Sequence, residues 1–249
     1  MSTDANDHWY CLQKIGPFGT SATLAIHFAP RAQRDRLLGI FALEREWESV
    51  VEAPNARDLA PVRFGWWQEE IERERAQSTH PVLRLLARSR AFDAMPKERL
   101  LQSLHAYLEL SRGRDPAHDP VARTLLRDSR GMFLQWTALD HISEVPVTPV
   151  GYLAASYWFL EAFLKNRKPG FGTETLETAR EELHRGLEAS NPYLRTESGR
   201  TIRILSALTG QTLRAINRTT EGGRWNDARP ALPVKLWQAW SAARDEQPR

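Results

Sequence analysis

Apolar residues in this chain recur three and four positions apart, and no stretch alternates convincingly between apolar and polar. Leu37, Ile40, Phe41, Trp47 and Val51 share one side of a helix that the spacing predicts over Arg31–Glu52. Leu100, Leu101, Leu104, Tyr107 and Leu108 do the same over Lys97–Leu110. This period leaves no room for a sheet, so the expected fold is all-α, with roughly nine or ten helices joined by short loops. The other predicted helices are Thr20–Phe28, Leu59–Arg75, a short one opened by His80-Pro81, Val121–Ile142, Pro149–Lys165, Glu174–Ala189, Ser198–Arg218 and Pro233–Ala243. Pro30, Pro54, Pro116 and Pro120 punctuate them, since proline cannot continue a helix.

The 249 residues suffice for one helical domain over 1–249, with the ends 1–18 and 244–249 expected to lie loose. A net charge of +3 is spread without a run of five like charges, which argues against a nucleic-acid partner. The single Cys11 excludes an internal disulfide or a cysteine metal knuckle and suits a reducing compartment. The start, MSTDANDHWYCLQ, carries acids and no apolar core, so no secretory signal is expected there. The longest apolar stretch, Val150–Leu164, contains Glu161 and is too short to span a bilayer. The expected location is therefore cytoplasmic, peripheral at most to the inner membrane surface. Most of the nine tryptophans are expected in the core, including Trp66 and Trp67, with Trp237 and Trp240 closing it at the tail.

No phosphate-binding glycine loop, HExxH or GxSxG motif is present. His80, before Pro81, reads as a helix cap or a surface residue, and Asp115 and Asp119 read as loop polarity. The informative feature is a column of acids, Glu44, Glu48 and Glu52, continuing the apolar stripe of Leu37 and Phe41 on one helix. By the residues alone, Glu48 and Glu52 are either a solvated helix edge, partners of Arg45 or another arginine, or contacts for a metal or diphosphate. Arg63 either pairs with an acid such as Glu70 on the surface or holds the Glu44 column from inside.

The order of features over Asp7–Leu86 resembles the squalene/phytoene synthase family. A basic segment (Arg31–Arg36) enters a helix, Glu48-Ser49-Val50-Val51-Glu52 stands where the family has DDxxD, and Arg63, Trp66 and Trp67 match its RLQWW helix. His80-Pro81 follows. The resemblance implies a single-domain isoprenoid-synthase-like bundle in which two facing acidic motifs gather magnesium on a prenyl diphosphate. It makes Glu44, Glu48, Glu52, Arg63, Trp67 and Glu161 the candidate substrate-binding residues. This chain departs from the pattern twice. The first motif has Ser49 for an aspartate and glutamates at its ends. The second, expected near Glu161, offers one acid followed by Lys165, Arg167 and Lys168. Leu43 and Glu46 fit the F/L-x-x-E of the family's non-catalytic branch, which includes a mitochondrial complex I assembly factor. The resemblance therefore implies an inactive relative with no catalytic residue and no cofactor, acting on a protein partner, membrane-associated, as an assembly or chaperone-type factor. The alternatives are a prenyltransferase using Glu48, Glu52 and magnesium, or a module holding an isoprenoid or other lipid in a central cavity.

Overall fold

The computed structural model describes residues 3–73, 78–113, 115–116, 118–138, 147–166, 173–194, 199–222 and 231–244, with the backbone alone at 162–166, 173–174, 191–192 and 217–222. Among them no strand occurs, and eleven α-helices form an all-α bundle: α1 Thr3–Ile15, α2 Ser21–Phe28, α3 Arg34–Val51, α4 Ala56–Glu72, α5 Pro81–Arg88, α6 Lys97–Ser111, α7 Pro120–Trp136, α8 Val147–Asn166, α9 Thr173–Leu194, α10 Arg200–Gly222 and α11 Leu232–Arg244. No helix among the described residues is long and apolar enough to cross a membrane.

The helix starts follow from local chemistry. Thr20, His80 and Asp119 each accept a hydrogen bond from a backbone amide in the first turn, satisfying donors that lack an intrahelical partner. Pro81 and Pro120 occupy first-turn positions, where the missing amide costs nothing. Several boundaries differ from the sequence reading, among them the end of α9, which runs on to Leu194, and both ends of α10. The predicted Arg31–Glu52 helix begins as a 3-10 turn at Arg31–Gln33. α4 starts at Ala56, ahead of the predicted Leu59, so Pro61 lies inside it and forfeits one backbone bond. α7 ends at Trp136, with Thr137 and Ala138 in a turn, short of the predicted Ile142, and residues 139–142 lie outside those described.

The sequence reading also leaves out α1. Its inward stripe is Asp7, Cys11 and Ile15, so the acid takes a core position that an apolar pattern does not reveal. Asp7 is held by Arg84 and by Arg88, the latter at 2.7 Å, both on α5. Glu46, on the side of α3 away from the acidic column, accepts the Tyr10 hydroxyl at 2.5 Å and the Lys14 ammonium at 2.9 Å. Two buried carboxylates thus bind α1 to α3 and α5.

Trp47 of α3 is the hub of the core. Its ring meets Phe133 of α7 at 5.2 Å, Tyr107 of α6 at 5.6 Å and Trp67 of α4 at 6.3 Å, edge to face, the preferred aromatic geometry. Trp136 is buried and donates its indole N–H to the Ala91 carbonyl at 2.9 Å. At the crossing of α7 and α8, a Cβ added to Gly131 would lie 2.8 Å from the Gly151 Cα, so only glycine lets these backbones approach so closely.

Among the described residues, fewer than half of the tryptophans are buried, against the expectation that most are core. Trp47, Trp67 and Trp136 are buried, Trp158 is half-buried, and Trp9, Trp66, Trp237 and Trp240 are exposed. Adjacent residues on a helix point about 100° apart, which is why Trp67 is inside while Trp66 is 40% exposed. α11 does close the bundle, but through Ala239 and Ala242, with both of its tryptophans on the opposite side.

His80 caps α5 with Nδ1, which accepts from the Val82 amide at 3.3 Å, beneath the rings of Trp66, Trp67 and Tyr10. Burial lowers its pKa below the ordinary value of 6.5. The capping nitrogen works only when unprotonated. The contribution is therefore fully present above the unfolded pKa and is lost as pH falls through the lowered folded pKa. Lowering pH from 7.5 to 5.5 (about one unit either side of the unfolded value) is expected to reduce the Tm of the parent more than that of His80→Asn, whose cap does not titrate. An equal loss in both would remove the titrating cap.

Candidate functional site

The acidic column of α3 turns toward α7 and α8, and there it meets an arginine. Arg130 sits in α7 between Leu126 and Phe133, four and three residues away, on the inward stripe of that helix. Its side chain is 3% exposed. One terminal nitrogen pairs with Glu44 at 3.5 Å and the other with Oε1 of Glu48. The second oxygen of Glu48 takes Arg45 at 2.5 Å, and Arg45 reaches the Tyr157 hydroxyl of α8 at 3.5 Å. The network is thus Glu44–Arg130–Glu48–Arg45–Tyr157, supplied by three helices.

The electrostatics favour a charged pair. Burial pulls Arg130 down to about 10, opposed by Glu44, which leaves the guanidinium protonated at neutral pH. Tyr157 is pushed up to about 12 by burial and then by Glu161, so it stays a neutral hydroxyl, which accepts from Arg45.

The network fills the space where the resemblance places a cavity. The void between Glu44, Glu48, Arg130 and Tyr157 measures about 30 Å³, room for a water or two. A cleft opens on either side. One, of about 530 Å³, lies at the end of α3 beside Glu52, Arg57, Tyr107 and Trp158. The other, of about 390 Å³, is bordered by Thr20, Glu161, Thr212 and Lys235. Glu48 and Arg130 face the first cleft as well as the central void, and Arg45 and Tyr157 face the second. The ion-pair network is a partition between them.

The candidate residues therefore separate into groups. Glu44 and Glu48 are brought together with Arg130. Glu52 is exposed at the rim of one cleft and Glu161 is half-buried in the other. Trp67 is core, packed on Trp47 and His80. Arg63 is exposed on α4 and lines neither cleft, while Glu70 pairs with Arg73 at 2.9 Å and accepts from Ser78 and Thr79. The internal arginine holding the Glu44 column is thus Arg130, not Arg63. Arg130 and Tyr157 were not anticipated. The signal for Arg130 was a lone cation at a core register of the Leu126/Phe133 stripe. Of the cations after Glu161, Arg167 and Lys168 lie outside the described residues, as does the side chain of Lys165.

The residues present do not fit the magnesium cluster of the family. Both oxygens of Glu48 and the nearer oxygen of Glu44 face guanidinium groups. Among the described residues, no three His, Cys, Asp or Glu side chains are grouped to hold a metal ion.

Residues 16–124 match the family model for squalene/phytoene synthase. The matched stretch contains the acidic column and α4, and it stops inside α7 before Arg130, Tyr157 and Glu161. No curated protein matches the chain. Over those residues the chain is similar to the squalene/phytoene synthase family, and the partition that fills its centre is completed by residues beyond the match.

Proposed function

We propose that this chain is a catalytically inactive relative of the squalene/phytoene synthases, serving as an assembly or chaperone-type factor for a membrane-associated respiratory complex. The observation that carries the first half is the buried Arg130 guanidinium between Glu44 and Glu48. It places a fixed cation, belonging to the chain, against the carboxylates that in the family would gather metal. A cation of this kind neutralises the acids without offering open coordination positions to a diphosphate. Support for an assembly role comes from the match of Leu43 and Glu46 to the non-catalytic branch. Glu46 works as a structural anchor for α1, a duty that survives the loss of catalysis.

A second reading, a module for an isoprenoid or other lipid, is favoured by the cleft of about 530 Å³, a size that suits a small ligand. Leu110, Leu126 and Trp158 give it apolar walls, and the buried Tyr107 hydroxyl has no hydrogen-bond partner among the described residues.

Calorimetry of the purified protein with farnesyl diphosphate, run with and without magnesium and followed by product analysis, tests both. The expected result is neither magnesium-dependent heat nor product. Heat that ignores magnesium would favour the binding module. Magnesium-dependent heat with release of diphosphate would overturn inactivity.

A further inference from the structure

α11 exposes an apolar face that its role in the bundle does not require. Its inner side, Leu236, Ala239 and Ala242, packs on α10 and α2. Pro233, Trp237, Trp240 and Arg244 recur at spacings of four, three and four, which puts them in one outward stripe. Trp237 is 59% exposed and Trp240 44%. Leu232 and Val234 are exposed at the first turn, and Leu232 packs beside Gly19, next to the exposed Phe18.

We infer that α11 lies flat on an anionic lipid surface, with Trp237 and Trp240 in the headgroup layer. Three observations favour lipid. First, the helix has no acidic residue, and the charge in its outward stripe, Arg244, is cationic. This complements a negative surface. Secondly, the Arg244 guanidinium lies 4.5 Å from the Trp240 ring centre, an aromatic body beside a cationic head, as interfacial helices require. Thirdly, the area is wrong for a stable protein interface. A helix of 13 residues is about 20 Å long and about 10 Å wide, so its outer face offers roughly 200 Å², against about 800 Å² per partner in a stable complex. A bilayer sets no such minimum, because each buried aromatic side chain adds to binding. The inference stands on α11 alone and is independent of the Arg130 site.

The test is flotation of the full chain with vesicles of phosphatidylcholine, and with vesicles of equal parts phosphatidylcholine and phosphatidylglycerol. The parent is expected to float with the anionic vesicles only, and less so at high salt. Trp237→Ser with Trp240→Ser should weaken binding about tenfold or more with an unchanged Tm, since neither side chain is core. Trp66→Ser, an exposed tryptophan on α4, should bind as the parent does. Absence of the parent from the anionic vesicles would overturn the inference, as would undiminished binding by the double variant. It would also be overturned by a parent dimer in sedimentation that the double variant abolishes, because the face would then belong to a second copy.

Discussion

Arg130→Ala is expected to cost about 3–5 kcal/mol of folding stability, because it strands buried carboxylates without a counter-charge. With total stability of about 5–15 kcal/mol for a domain, this single change can leave a substantial fraction unfolded at 37 °C. The cause is specific. Glu48 is as buried as Arg130, and its remaining partner Arg45 lies toward water. Arg130→Met combined with Glu48→Leu removes both charges and keeps the volume, so it is expected to recover most of the loss. Urea unfolding of the two variants reads the difference. A loss below about 1 kcal/mol in Arg130→Ala would mean that the carboxylates are solvated and the central partition is open.

Trp47→Ala is expected to cost a similar amount for a different reason, about 3–5 kcal/mol of lost burial and cavity formation. The ring joins α3 to α4, α6 and α7 at once, so the void cannot collapse from one side. Trp66→Ala, in contrast, should cost about 1 kcal/mol or less, since that residue is 40% exposed and its ring meets those of Trp67 and His80 at the surface. Equal costs at the two positions would show that the exposed ring of α4 is shielded by something else. Thermal unfolding of both variants beside the parent is sufficient.

The helices that bury leucine and phenylalanine at three and four spacing were legible because burial and periodicity are the same fact. α3 and α6 illustrate this. α1 was not, because its core stripe begins with Asp7, whose burial depends on Arg84 and Arg88 nearly eighty residues away. The candidate site divided along the same line. Glu44 and Glu48 could be placed on one face from spacing within a single helix. Their partner on α7 could not, because helix packing, not sequence distance, brings Arg130 to them. The tryptophans misled for a complementary reason. A large apolar ring signals a need for burial but not what buries it, and at Trp237 and Trp240 the bundle does not.

α11 is fastened near both ends. Lys235 donates to the Gly19 carbonyl at 3.3 Å, and the buried Arg203 of α10 grips the Ala242 carbonyl while also holding the Leu194 carbonyl that ends α9. A helix pinned in this way cannot swivel or peel off as a tether would. Whatever plane it rests against therefore sets the attitude of the entire body, and the two clefts are presented at a fixed tilt to that plane.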